Sequence, residues 1–162
     1  MAEFQGESYR YAGTVQVGEL SAVVADSTIY ADGFTLPAGA NAVPLGIVQK
    51  GVVPKGGPSD TYSAGVIDGI SGTAWPANSL PASPKGQARS VRRFGRSGFI
   101  AAAPINRGDA LVIADASGRL ESVTTLAPSA GTLVNVIGFA DTAVAAAGET
   151  GFVWLAPFQY KA

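Results

Sequence analysis

Five cations fall within twelve residues, Lys85, Arg89, Arg92, Arg93 and Arg96, with no acid among them. Guanidinium groups at that density grip carboxylates or phosphates, because each planar fork donates several charge-assisted hydrogen bonds. The plainer use of such a run is a solvated strand edge whose charges discourage stray pairing. Phe94 is the one aromatic interleaved, which is thin for stacking the bases of a single strand. The chain as a whole carries a formal net charge of −1, so no overall field draws in a polyanion. The patch therefore points to an acidic protein surface, and nucleic acid is not an expected partner.

Other chemistry is hard to assemble from this chain. His and Cys are both absent, which removes the commonest general base, the commonest metal ligand, the thiol nucleophile and any disulfide. The seven Asp and five Glu show no calcium-loop spacing and no metal-ligand cluster. Paired carboxylates can cleave glycosidic bonds, but nothing in the sequence pairs two of them. Serines without His, Cys or a Ser-x-x-Lys motif lack a familiar means of activation. No glycine-rich phosphate loop precedes a helix. Arg107-Gly108-Asp109 spells an integrin-binding tripeptide, but three residues match by chance often and these open a strand. The expectation is a protein that is not an enzyme, with no cofactor and no metal.

The elements that must carry these residues are short strands. From Pro104 to Leu155, apolar runs such as Ala110–Ile113, Leu133–Ala140 and Phe152–Leu155 are bounded by Gly, Asp, Ser or Pro, the pattern of buried strands joined by tight turns. Tyr9 to Val17 alternates, with Tyr9, Tyr11, Val15 and Val17 on one face and Gly13 interrupting it. Val43–Val48, Ala88–Phe94 and Phe99–Ala103 read as further strands, with a turn at Gly95–Gly98. Gly18-Glu19-Leu20 through Leu45–Val48 echoes Gly108-Asp109-Ala110 through Ile137–Ala140, a weak internal repeat of one β unit. The predicted fold is all-β, a compact β-sandwich or β-barrel-like single domain over residues 1–162. Residues 1–8 read as an arm, 51–87 as a loop-rich insertion and 156–162 as a C-terminal tail. Ser122–Ala140 is uncharged but holds Pro128, Gly131 and Gly138, so it is a poor membrane helix, and no membrane is expected.

Gly and Pro total 31 residues spread along the chain, marking turns rather than disorder. Only 14% of residues are charged, well below the usual quarter. A surface so poor in charge suits a protein packed against others. Candidate contact residues are the arginine run Arg89, Arg92, Arg93 and Arg96, the terminal groups Phe4, Tyr9, Arg10, Tyr11, Phe158 and Tyr160, and Trp75 beside Pro76 in the loose segment. Trp154, in an apolar strand, is expected in the core.

Asn106–Val112, Asp115–Leu120, Asn135–Ala140 and Ala146–Glu149 together resemble the capsid cement (decoration) proteins of tailed bacteriophages. The shared pattern is a Gly-Asp step into a Val-rich strand, a Gly-Arg turn, an Ile-Gly strand and a final Ala-Gly-Glu turn. The likeness is firm over the last third and looser over the first fifty residues, and 51–87 departs from it. The resemblance implies a structural virion protein, made in the host cytoplasm, that sits on the capsid exterior. It implies a homo-oligomer, a trimer, that stabilises the shell by bridging major capsid protein subunits. The alternative is a glycan- or receptor-binding β module of a phage fibre or surface layer, with Trp75 and Tyr62 as its first candidates.

Overall fold

The computed structural model describes residues 7–13, 17, 19–49 and 88–162. Strands β1 (Glu7–Tyr11), β2 (Ala22–Ala25), β3 (Gly33–Thr35), β4 (Gly46–Val48) and β5 (Ala88–Arg92) close into a barrel of order β1-β3-β2-β4-β5. Strands β6 (Gly95–Ile100), β7 (Ala110–Ile113), β8 (Leu120–Ser122), β9 (Leu133–Ala140) and β10 (Thr150–Lys161) form a second sheet of order β6-β10-β9-β7-β8. A single helical turn, α1 (Val123–Leu126), follows β8, with the Ser122 hydroxyl accepting from the Thr125 N–H at 3.1 Å. The all-β expectation holds.

The two sheets are strand-for-strand copies, β1 to β5 against β6 to β10. In the first, β2 pairs antiparallel with β3 and β4; in the second, β7 pairs antiparallel with β8 and β9. β5 lies antiparallel between β4 and β1, as β10 lies between β9 and β6. The parallel pairing of Tyr11 with Phe34 that closes the first barrel recurs as a single parallel bridge between Ala101, just past β6, and Leu120 of β8, which brings the edges of the second sheet together into a second, looser barrel. The registers coincide. Val23 opposite Gly46 matches Leu111 opposite Gly138, Val48 opposite Val91 matches Ala140 opposite Val153, and Tyr9 opposite Arg89 matches Phe99 opposite Gly151.

The packing repeats with the pairing, because side chains alternate across each strand. Tyr11, Val17, Val23, Phe34, Val48 and Val91 fill the first barrel. Their counterparts Ala101, Ile105, Leu111, Leu120, Ala140 and Val153 all lie in the core of the second. Gly46 and Gly138 are required in both copies. A Cβ there would meet the carbonyl oxygen of Arg92 at 2.3 Å or of Trp154 at 2.0 Å. The repeat read from the sequence is in register at its far end, Leu45–Val48 against Ile137–Ala140, and two residues off at its start. Leu20 (φ 62°), not Gly18, is the counterpart of Gly108 (φ 89°), and their N–H groups donate to the carbonyls of Val48 and Ala140.

The copies are joined by a shared core and by polar ties. Ala22 and Ile47 of the first barrel, both fully buried, belong to the core of the second. The Ala22 N–H donates to the Gly118 carbonyl at 2.8 Å, and the Asn41 N–H to the Ile113 carbonyl at 2.8 Å. Gln49 Nε2 donates to Ser97 Oγ at 3.0 Å.

Several boundaries differ from the sequence reading. The chain turns at Arg93-Phe94, and Gly95–Gly98, expected as the turn, is the start of β6. Ser97 is buried, and Gly98 sits against the Leu20 side chain, so this stretch has work inside the sheet. Strand β1 already begins at Glu7, inside the expected arm, and ends at Tyr11 rather than running to Val17. The expected tail is strand. β10 continues to Lys161 because a register shift between Leu155 and Phe158 absorbs Pro157, after which Phe158–Lys161 pair with Leu133–Val136. The loop-rich insertion 51–87 lies outside the described residues.

Candidate functional site

The chain crosses from the first barrel to the second at Arg93-Phe94, and the arginine run gathers there. Gly95 takes φ 82°, which re-aims the backbone into β6. Arg92 Nη1 donates to the Arg96 carbonyl, tying the two barrels across the corner. Arg96 Nε donates to Asp141 Oδ2 at 2.7 Å, and its guanidinium carbon stands 3.9 Å from the Phe152 ring centre. Arg107 approaches the other Asp141 oxygen at 3.9 Å. The Arg93 guanidinium carbon lies 5.8 Å from the ring centre of the exposed Phe94, and its Nη1 donates to the Tyr9 hydroxyl at 3.3 Å. Arg92, Phe94, Gly95 and Arg96 line a depression of about 260 Å³. Arg89 is half-buried on β5, opposite Tyr9.

Other candidates divide. Arg10 is exposed, 3.7 Å from Asp32 and 5.6 Å from the Tyr30 ring centre. Tyr11 is not a contact residue. It is 1% exposed and packs against Phe34 with ring centres 5.4 Å apart, and burial raises its phenol pKa. Its place in the alternation turns it into the barrel, while Arg10 beside it faces out. Phe4 and Trp75 lie outside the described residues.

A second feature was missed by sequence reasoning. Trp154, expected in the core, is 53% exposed. In β10 the buried positions are Gly151, Val153 and Leu155, so Phe152 and Trp154 point outward. Trp154 pairs directly with Phe139 of β9, also exposed. Phe139 stacks on Phe158 with ring centres 5.8 Å apart, and Phe158 meets Tyr160 at 6.2 Å. Phe152, Trp154, Phe139, Phe158 and Tyr160 thus make one row of exposed rings, joined to the arginine corner by Arg96. Two of its members, Phe158 and Tyr160, were among the sequence candidates.

Carboxylates elsewhere serve the fold. Burial alone would raise the Asp115 pKa, but hydrogen bonds from the Arg119 side chain and from the Arg119 and Ser117 N–H groups, with the Arg119 charge, hold it below the usual range. Glu121 is pushed up by burial and by the nearby Asp115 charge. Asp26 is lowered by hydrogen bonds from the Thr28 hydroxyl and N–H. Among the described residues, no three carboxylates gather as a metal site, and no helix is long and apolar enough to cross a membrane. No known protein family and no curated protein matches this chain in sequence.

Proposed function

We propose that this chain is a structural, non-enzymatic virion protein that binds the exterior of a phage capsid as a homo-oligomer, a trimer, and stabilises it by bridging major capsid subunits. The observation that carries this reading is the continuous outer surface of five aromatic rings and an arginine corner, held on paired strands. Large apolar patches on monomers mark places where another protein sits, and clustered arginines beside them suit a carboxylate-bearing partner. The low charge content of the chain agrees. Binding only to the assembled shell would stabilise it by mass action.

The test is to mix the purified protein with undecorated shells, sediment them and image the pellets. Co-sedimentation with ordered density on the shell, and a shell that withstands more heat, is the expected result. The second reading, a glycan-binding module, draws on the same exposed rings, whose flat faces suit sugar rings. Binding to a glycan array without binding to shells would replace the first reading with the second.

A further inference from the structure

Arg96 is held still and yet keeps its fork open. Its Nε donates to Asp141 Oδ2 at 2.7 Å, and its guanidinium carbon lies 3.9 Å from the Phe152 ring centre. A guanidinium stacks with its face and donates from its edge, so the ring leaves the N–H groups usable. Asp141 occupies Nε, and among the described residues neither Nη1 nor Nη2 of Arg96 donates to another group. The side chain is 47% exposed and stands on the outer face of β6, where Ser97 beside it is buried. Its neighbours are engaged differently. Arg92 ties its Nη1 to the Arg96 carbonyl, and Arg93 donates to Tyr9 and leans on Phe94. Asp141 is shared between Arg96 and Arg107, so this group of three keeps a net positive charge.

The fork heads a ladder that crosses the sheet. Arg96 pairs with Trp154, Trp154 with Phe139, and Phe139 with Ala110. Adjacent strands stand about 4.8 Å apart, so along the ladder Trp154 lies about 5 Å from Arg96 and Phe139 about 10 Å. Both rings are exposed. Beyond Phe139 the ladder is closed, because Val123 and Leu126 pack with Ala110 and Val112. The open stretch therefore has a direction, with a fixed cation at one end and two large rings in line behind it.

We propose that Arg96 anchors a protein-binding site, taking one Asp or Glu carboxylate of a partner through Nη1 and Nη2 while Trp154 and Phe139 take the apolar side chains that follow on the same partner segment. A helix meets the spacing with Glu at i and Leu at i+4 and i+7, since such neighbours stand about 5–6 Å apart and seven residues rise about 10 Å. A fork fixed before contact loses little freedom on binding, and arginines and tryptophans in such settings carry a large share of interface energy. Charge complementarity selects an acidic segment, because an uncharged sugar leaves the fork unused. This rests on the reading of the chain as one that binds capsid subunits, and it names the feature of the subunit that is gripped.

The test uses the isotope-labelled full chain and two helical peptides, one with Glu at i and Leu at i+4 and i+7, the other with Gln in place of the Glu. The Glu peptide should shift the Arg96 Nε–H and the Trp154 indole N–H resonances together. It should bind at least about tenfold more tightly than the Gln peptide, the worth of one charge-assisted bidentate contact. Arg96→Lys keeps the charge and loses the stacked fork, so the ratio should fall to about threefold or less, while Arg119→Lys should leave it unchanged. Circular dichroism checks that each variant is folded, and if Arg96→Lys is not, the two peptides on the unaltered chain decide alone. Equal affinities, no shift from either peptide at millimolar concentration, or a ratio that survives Arg96→Lys would overturn the proposal. So would an oligothymidylate dodecamer that binds more tightly than the Glu peptide, which would assign the fork to phosphate. Shells separate this from the capsid reading. Peptide discrimination without shell binding keeps the fork and discards the capsid, and shell binding that Arg96→Lys leaves intact keeps the capsid and discards the fork.

Discussion

Asn135 and Asn41 clasp the two barrels across 94 positions of sequence. The Asn135 N–H donates to Asn41 Oδ1 at 2.8 Å, and Asn135 Nδ2 donates to the Asn41 carbonyl at 2.6 Å. Asn41 Nδ2 returns a bond to the Leu133 carbonyl at 2.7 Å, and Gln159 Nε2 reaches Asn135 Oδ1 at 2.6 Å. Asn41 itself sits at φ 56°, a conformation asparagine tolerates better than most residues. Replacing Asn135 by Leu removes its side-chain bonds to the half-buried Asn41 carbonyl and to Gln159 while keeping the backbone bond to Asn41 Oδ1, and a loss of about 1–2 kcal/mol is expected. Asn41→Ala adds the left-handed backbone strain to the lost bonds, so Asn41→Gly should be milder by about 1 kcal/mol. Urea midpoints of the three variants check the order. Equal midpoints for Asn135→Leu and the unaltered chain would show that the clasp contributes nothing.

The paired glycines make a sharper prediction. A Cβ at Gly138 would lie 2.0 Å from a backbone oxygen of the neighbouring strand, and one at Gly46 would lie 2.3 Å from its equivalent. Backbone in the middle of a sheet cannot step aside cheaply. Gly138→Ala and Gly46→Ala should each cost at least about 3 kcal/mol or prevent folding, at the severe end of single substitutions. Gly39, with nothing within 4 Å of an added Cβ, is the control, and its Ala variant should stay within about 0.5 kcal/mol. Thermal melting of the set decides, and a Gly138→Ala protein as stable as the Gly39 control would refute the close approach.

The glycine corners were legible in the sequence because local backbone chemistry places them. Gly108, Gly118 and Gly148 all take positive φ at the turns their neighbours announce. The second barrel's strands were legible for the same reason. Which face of a strand looks inward was not. In Phe152-Val153-Trp154-Leu155 both phases of the alternation are apolar, so only the partner strand chooses, and Gly138 opposite Leu155 sets the inner face. Pro157 made the last strand read as a tail, since a bulge that carries it past the ladder has no local signature. The duplication showed as an echo only around its glycines. Elsewhere the counterparts differ in kind, Tyr11 against Ala101 or Arg92 against Trp154, and pairing geometry alone aligns them.

Two neighbouring carboxylates should move stability in opposite directions with pH. Asp115 is held below its ordinary range, so its contribution is present above the usual aspartate pKa of about 3.9 and is lost as pH falls through the lower folded value. Glu121 is raised, so its contribution favours folding below the usual glutamate pKa of about 4.3 and is lost as pH rises through the raised value. At neutral pH the ionised Glu121 is therefore a net cost. Asp115→Asn should destabilise by about 0.5–1 kcal/mol at neutral pH, a small figure because its Arg119 partner is partly exposed. The difference should close in strong acid. Glu121→Gln should raise the melting temperature at neutral pH and lose that gain in acid. A Glu121→Gln protein that melts lower at neutral pH would contradict the raised value.

The arginine corner and the aromatic row should separate in their response to salt. Arg92 and Arg93 stand where the chain passes between barrels, with Phe94 58% exposed beside them. If this corner meets an acidic capsid surface, its contribution is screened over about 10 Å at 0.1 M salt and shrinks further as salt rises. Binding of the unaltered chain to shells should weaken steeply with salt, and reversing both charges, Arg92→Glu with Arg93→Glu, should weaken it at least about tenfold at low salt, mostly through the on-rate. Because Arg92 also bonds the Arg96 carbonyl, the single Arg93→Glu variant and a urea midpoint guard against a folding artefact. Contacts made through the aromatic row should hold or strengthen over the same salt range, since apolar burial gains from salts excluded from the surface. Shell binding that ignores both salt and charge reversal would remove the corner from the contact and leave the rings to carry it.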